Sequence, residues 1–203
     1  MNLSYDLWQA NQDLVGACLQ NPFVQGLAEG SLPKERFAFY LGQDALFLMA
    51  FARAYSIAAA RAPEWDGFSA FHKLAGGVLA ELKLHEGYAA AWGVKLQETR
   101  PVSATRRYTD FLLATAWQHE AGVTATAMTP CLRLYAFLGQ ELARGGIPEH
   151  PYTDWIRTYS APTFEALAAR LERLLDRYAK DCPLVRESYR YALDCELAFF
   201  EAA

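Results

Sequence analysis

The sequence lacks the patterns that mark membrane and secreted proteins. No stretch reaches the roughly 18 uninterrupted apolar residues expected of a membrane-spanning helix. The first residues, MNLSYDLWQANQD, have neither the basic start nor the continuous apolar core of a secretory signal. We therefore expect a cytoplasmic protein without a membrane partner.

Cysteine and histidine are few, and neither is arranged as a metal site. The 4 histidines include no HExxH motif, and the separation of Glu81 from His85 is not that of paired di-iron helices. The 4 cysteines form no CxxC pair and are expected to be reduced thiols: Cys18, Cys131, Cys182 and Cys195. No metal or other cofactor is expected.

Basic residues are also few. The chain has 19 Lys and Arg against 23 Asp and Glu, which gives a net charge of −4. This balance argues against a nucleic-acid partner, which normally needs a basic face. The 53% hydrophobic and 21% charged composition is that of a folded globular protein. A chain of 203 residues can form one domain, and we expect residues 1–203 to do so.

The hydrophobic pattern is helical throughout, without alternating segments bounded by hairpin turns. It predicts an all-α bundle of about seven to nine helices joined by short connections. The first helix is expected to run unbroken to about Leu19, and the next to begin at Asn21-Pro22 and to end at Gly30. Gly93 and Gly122 are expected to interrupt the later helices.

One predicted helix has a charged side chain in the middle of its apolar face, where a charge is not expected. In FAFYLGQDALFLMAFARAY, residues 37–55, one face carries seven large apolar or aromatic side chains and Asp44. Aspartate is rarely buried without a partner. Asp44 is therefore either a binding residue, a cap for a neighbouring helix, or the partner of an arginine such as Arg53.

Two further polar residues interrupt apolar faces, Cys131 in the predicted helix from about Thr124 to Ala143 and Glu196 near the C-terminus. A thiol, two carboxylates and several rings in one pocket would suit nucleophilic attack on a flat heterocycle, with a carboxyl group moving protons. Each residue also has a simpler interpretation. Cys131 can be a small buried hydrophobe, and Glu196 can point to solvent.

An ordered series of short motifs runs through nearly the whole chain. They are NPFVQGL from residue 21, LP from 32, FxxYLxQDxxFL from 37, LHEGY from 84, YTDFL from 108, PCxxxY from 130, PYxxWIxxYS from 151 and ELxxF from 196. In this order and at these separations the chain resembles the TenA family, also called thiaminase II or aminopyrimidine aminohydrolase. The resemblance implies a haem-oxygenase-like multi-helix bundle, usually a homotetramer.

The family resemblance also implies an activity. Members typically hydrolyse 4-amino-5-aminomethyl-2-methylpyrimidine to the hydroxymethyl pyrimidine and ammonia in thiamin salvage, and many also cleave thiamin. The alternative is a non-catalytic pyrimidine-binding or regulatory protein on the same fold. A haem- or quinone-biosynthesis relative is disfavoured because no histidine precedes His72.

The resemblance implies roles for particular residues. Cys131 matches the nucleophile, Glu196 the acid/base, and Asp44 the carboxylate that binds the amino group of the ring. The remaining matches line the pocket: Tyr135 and Tyr159 by hydrogen bonding, Tyr108 beside them, and Phe47 and Phe199 as the two rings that sandwich the pyrimidine. Because a free thiol is mostly protonated near neutral pH, we expect a neighbouring donor to activate it, with Tyr159 as the candidate.

Two departures from the family pattern leave the substrate preference open. Many relatives carry tyrosine where this chain has Phe47, and the C-terminal motif often reads FW where this chain has Phe199-Phe200. Neither departure touches the nucleophile or the carboxylates. The choice between thiamin and its degradation product therefore does not follow from the sequence.

Overall fold

The computed structural model describes residues 2–203, except for the side chains of residues 83–88. Ten α-helices make up the described chain: α1 Leu3–Gln9, α2 Gln12–Leu19, α3 Pro22–Glu29, α4 Lys34–Arg61, α5 Trp65–Ala91, α6 Ser103–Gln118, α7 Ala121–Ala143, α8 Thr153–Ser160, α9 Pro162–Tyr178 and α10 Pro183–Ala202. A 3-10 helix, Leu96–Glu98, lies in the loop before α6. The prediction of an all-α bundle is confirmed, since the described residues contain no strand. None of the helices described is long and apolar enough to cross a membrane.

The predicted first helix is in fact two helices, separated at Asn11. The Asn11 side chain donates to the carbonyl of Leu7 at 2.8 Å, and its own oxygen accepts from Arg190 at 3.0 Å. An asparagine that bonds nearby backbone competes with the helical ladder. The prediction of an unbroken helix was wrong because the contact that holds this break comes from α10.

The predicted boundaries of α3 are confirmed. The Asn21 side chain accepts from the backbone N–H of Phe23 at 2.9 Å, and Pro22 occupies the first turn. Gly30 ends the helix with φ of 72°, which a residue with a side chain rarely adopts. Local sequence is sufficient here because every group involved lies within one or two turns.

Helices α4 and α7 form the centre of the bundle. Helix α4 packs against α5, α6 and α7, while α7 packs also against α8, α9 and α10. On the α9 side of α7, Arg133 forms a fork to two carboxylates, with Nε 2.7 Å from Glu172 and Nη1 2.9 Å from Glu165. Both central helices therefore have their positions set by contacts with several other helices.

Two glycines of α7 permit close approach of other backbones. A Cβ on Gly122 would lie 2.2 Å from the carbonyl oxygen of Tyr178, and one on Gly139 would lie 2.3 Å from the carbonyl carbon of Tyr159. The predicted break between two helices is present, but it falls at His119 and Glu120 rather than at Gly122, which lies inside the first turn of α7. Its missing side chain makes room for the end of α9.

Replacing Gly122 tests this packing role. Gly122→Ala should lower the free energy of unfolding by about 1–3 kcal/mol, because the added methyl group meets backbone that cannot turn aside. Gly76 of α5 is the matched control, because a Cβ there meets nothing within 4 Å. Gly76→Ala should instead stabilise by up to about 1 kcal/mol. Urea denaturation measures both, and equal effects would contradict the packing role.

Candidate active site

The predicted site residues come from five helices, and the fold brings them into one cluster, which we call the pocket. They are Asp44 and Phe47 on α4, Tyr108 on α6, Cys131 and Tyr135 on α7, Tyr159 on α8, and Glu196 and Phe199 on α10. All are buried except Tyr159, which is half-buried. Charges and ring contacts link each of them to at least one other, as described below.

The candidate nucleophile and the candidate acid/base are buried neighbours. The Cys131 thiol and the Glu196 carboxyl group each act on the pKa of the other, and the Tyr108 hydroxyl donates to Glu196 Oε1 at 2.8 Å. Glu196 is only 2% exposed, so the interpretation in which it points to solvent is wrong. Cys131 is buried too, but beside a titratable partner rather than among apolar side chains alone.

A proline precedes the thiol inside α7. Pro130 has no backbone N–H, so the helical hydrogen bond that would normally reach the carbonyl of Thr126 is lost. Proline in a helix interior costs roughly 3 kcal/mol, and the buried contacts around α7 must offset that cost. Natural proteins usually break a local structural rule of this kind at functional sites, and Pro130 directly precedes the candidate nucleophile.

Burial governs the protonation of both partners. It raises the pKa of Glu196 to about 8, and the nearby negative charge of Asp44 adds to that rise. The hydrogen bonds from Tyr108 and Cys131 lower the same pKa but do not cancel the effect of burial. Burial, followed by the charges of Glu196 and Asp44, raises the pKa of the Cys131 thiol well above its usual value.

The Cys131–Glu196 pair therefore holds its protons near neutral pH. The thiol has no preformed negative charge, and its proton must leave as the sulphur attacks. A carboxyl group with a pKa near 8 is suited both to accept that proton and to return one. After burial itself, Glu196 is the group that acts most strongly on the pKa of the thiol. Activation by Tyr159 stays a prediction.

Asp44 faces the same pocket. Its negative charge raises the pKa of Tyr135 and of Tyr159, as it does for Cys131. Arg53 lies nine residues further along α4, which is the opposite face at roughly 100° per residue, and it donates to the carbonyl of Met49 at 3.0 Å. The interpretation of Asp44 as the ion-pair partner of Arg53 is therefore wrong.

The two rings predicted to sandwich a heterocycle are adjacent but not parallel. The centroids of Phe47 and Phe199 are 6.2 Å apart with an interplanar angle of 57°, and Phe47 also packs on Tyr108 at 4.8 Å. Carbon atoms in contact are roughly 3.5–4 Å apart, so a ring held between two others needs about 7–8 Å. The pair would have to turn and separate by about 1–2 Å to clamp a flat ligand.

A chain of hydrogen bonds leads into the pocket from α8. Trp155 Nε1 donates to the Tyr40 hydroxyl at 3.3 Å, and Tyr40 donates to the Tyr135 hydroxyl at 3.2 Å. Sequence reasoning missed Tyr40 and Trp155 as parts of the site. The available signal was their position, since Tyr40 lies one turn before Asp44 on the same stripe.

Glu81 of α5 is another residue that sequence reasoning missed. Its charge raises the pKa of Cys131 and of Tyr159, so it lies near the pocket, and its side chain is half-buried. The LHEGY motif that follows it, residues 84–88, falls on side chains outside the described part of the structure. Among the described side chains no group of three or more His, Cys, Asp or Glu residues could hold a metal ion.

Comparison of the sequence with characterised proteins gives relatives over most of its length. It is 36% identical to the bifunctional TH2 protein of Arabidopsis thaliana over 91% of the chain, but it spans only 34% of that protein. It is 33% identical to the aminopyrimidine aminohydrolase of Halalkalibacterium halodurans over 89% of the chain and 83% of that enzyme. These names apply to the relatives.

Solved structures give the same grouping. A TenA homologue from P. horikoshii superimposes with a TM-score of 0.92 at 25% identity, covering 99% of this chain and 97% of the other. Haem oxygenase-1 from the cyanobacterium Synechocystis superimposes at 0.65 with 13% identity, over 100% of this chain and 92% of its own. That second match concerns the fold alone, and it confirms the predicted haem-oxygenase-like bundle. The model of the TENA/THI-4/PQQC family matches residues 8–202, and the chain belongs to that family.

Proposed function

We propose that this protein is a hydrolase of aminopyrimidines, acting on 4-amino-5-aminomethyl-2-methylpyrimidine to release ammonia and the hydroxymethyl pyrimidine. The observation that carries the proposal is the buried pairing of the Cys131 thiol with a Glu196 carboxyl group whose pKa is raised to about 8. Relatives named aminopyrimidine aminohydrolase, 31–33% identical over most of the chain, support the substrate class. A role in thiamin salvage follows from that substrate.

The first half of the proposed reaction removes the amine. As the Cys131 sulphur adds to the electron-poor pyrimidine ring, its proton passes to the ionised Glu196 carboxylate. Addition raises the electron density of the ring and weakens the bond between the exocyclic methylene and the amine. Glu196 then gives its proton to the leaving nitrogen, which departs as ammonia.

The second half returns the site to its starting state. Water adds to the exocyclic methylene, and the proton that it loses passes to Glu196. The sulphur then leaves the ring, which regains aromaticity, and Cys131 takes back a proton from Glu196. The sum is one water consumed, one carbon–nitrogen bond broken and one carbon–oxygen bond formed.

The surrounding side chains would select and hold the ring. Asp44 would accept a hydrogen bond from the ring amino group, and the hydroxyls of Tyr135 and Tyr159 would bond other polar atoms. Phe47 and Phe199 would stack on the two faces after the small separation described above. Burial of the site keeps competing water away from each of these hydrogen bonds.

We further propose that the protein acts in the cytoplasm as a homotetramer, as the family resemblance implies. Large apolar side chains exposed on α4, α5 and α6 support a contact between chains: Met49 at 40%, Leu79 at 55% and Trp117 at 67%. They line one groove, and exposed apolar patches of this kind commonly mark protein interfaces. Cleavage of thiamin itself belongs to the same proposal as a second substrate.

Replacing the proposed nucleophile tests the activity directly. Cys131→Ser should lower ammonia release from the aminomethyl pyrimidine by at least about 10³-fold, because a hydroxyl is a far weaker nucleophile than a thiol near neutral pH. Cys182→Ser is the matched control, since Cys182 is exposed and outside the pocket. A coupled ammonia assay measures both variants. Wild-type turnover by Cys131→Ser would remove the nucleophile, and a wild type that binds the pyrimidine without turnover would favour a binding protein.

The pH dependence tests Glu196 as the group that accepts the first proton. Because the carboxyl must be ionised to act and its raised pKa is about 8, kcat/KM should rise about tenfold per pH unit below 8 and level off above it. Tyr108→Phe removes a hydrogen bond that lowers this pKa, so the rise should move to higher pH. Initial rates between pH 5 and 10 measure both profiles. A midpoint near 4.5, or the same midpoint in both proteins, would contradict the assignment.

Asp44→Asn tests recognition of the ring amino group. The amide keeps the shape of the side chain but loses the charge, so kcat/KM should fall by about 10–100-fold, the worth of one charge-assisted hydrogen bond. The loss should shrink for an analogue that lacks the ring amino group, because that analogue never used the carboxylate. Equal losses for both substrates would indicate a structural role for Asp44.

A further inference from the structure

Tyr55 lies on the face of α4 that carries the pocket residues. It follows Phe51 by one turn and Asp44 by eleven residues, about three turns. Its side chain is 1% exposed, and its ring packs edge-on against Phe51 with centroids 4.8 Å apart. Tyr55 thus continues the row Asp44, Phe47 and Phe51 deeper along the helix.

The Tyr55 hydroxyl has no hydrogen-bond partner among the described residues. Buried polar groups almost always have one, and burying a hydroxyl without a bond destabilises a fold. Tyr189 of α10 is the other tyrosine in the described chain with a buried, unbonded hydroxyl. The effects of removing the two hydroxyls can be compared, because Tyr55 and Tyr189 have different neighbours.

The surroundings of the two hydroxyls differ in their relation to the pocket. Tyr55 is joined to the pocket by ring contacts, since the Phe51 ring that it packs on also stacks on Phe47 with centroids 5.1 Å apart. Burial, followed by the charges of Cys131 and Glu81, raises the pKa of Tyr55, which agrees with that position. Glu172 and Arg133, on the α9 side of α7, are the charged groups that act on the pKa of Tyr189. Tyr55 keeps its proton under these influences and is therefore a hydrogen-bond donor.

We propose that Tyr55 is a further residue of the active site, whose hydroxyl donates to an acceptor atom that the reaction brings beside the Cys131 sulphur. This inference rests on the proposed aminopyrimidine hydrolysis. The acceptor is a nitrogen or oxygen that arrives with the substrate, either an atom of the bound heterocycle or the water that replaces the amine. A donor left unbonded in the free protein is available for such an atom without first breaking another bond.

The test compares Tyr55→Phe with Tyr189→Phe. Each change removes one hydroxyl and keeps the ring, so the melting temperature of both variants should equal or exceed that of the wild type. Tyr55→Phe should lower kcat/KM for the aminomethyl pyrimidine by about tenfold or more, the worth of one hydrogen bond made to the reacting groups. Tyr189→Phe should leave it unchanged.

Calorimetric titration with the hydroxymethyl pyrimidine distinguishes the two acceptors. A weaker affinity in Tyr55→Phe identifies an atom of the heterocycle, whereas a lower kcat at unchanged affinity identifies the attacking water. Rates and affinities equal to those of Tyr189→Phe would overturn the proposal. So would a melting temperature that falls in Tyr55→Phe alone, since that result would reveal a hydrogen bond within the fold.

The same measurements separate this inference from the proposed function. A wild type that binds the hydroxymethyl pyrimidine but releases no ammonia would overturn the hydrolase, and the affinity comparison would then decide the role of Tyr55. A wild type that neither binds nor reacts would overturn both.

Discussion

The candidate active site depends on one buried pair of groups, the Glu196 carboxyl and the Cys131 thiol, each of which acts on the pKa of the other. In water the carboxyl would be ionised at neutral pH and the thiol would be a surface nucleophile of ordinary reactivity. Burial raises both pKa values, so the two groups hold protons that they can exchange. The Tyr108 hydroxyl, 2.8 Å from the carboxyl, limits that rise and keeps the pKa of Glu196 near 8. Removing any of the three would change the protonation of the others.

The rest of the fold serves to hold these groups out of water. Helices α4 and α7 are central, and they carry Asp44 and Cys131 on faces that meet the same pocket. Gly139 lets the backbone of α8 approach α7, which brings Tyr159 to the pocket, and the Arg133 fork holds the other side of α7 against α9. Polar groups buried without full compensation, such as the Tyr55 hydroxyl, lower stability. A protein tolerates that cost where the same groups act on a ligand.

Local sequence was sufficient wherever the interactions themselves are local. The α3 boundaries followed from Asn21, Pro22 and Gly30, which act within one or two turns. The buried face of α4 followed from the spacing of its large side chains, because helical periodicity alone decides which residues share a face. The break at Asn11 was missed because Arg190, from the far end of the chain, is one of its partners. Gly122 was misread because glycine in sequence looks the same whether it ends a helix or makes room for a neighbour.

The sequence by itself determined the helical class, the odd carboxylate at Asp44 and, through its ordered motifs, the family to which the chain belongs. Only the tertiary structure decided that Glu196 is buried close to Cys131, that Asp44 faces the pocket away from Arg53, and that Tyr40 and Trp155 form a chain of hydrogen bonds to Tyr135. The reason is physical. Periodicity tells which side chains share a face, but a pKa depends on solvent exclusion and on charges from several helices, and those exist only after the helices have packed.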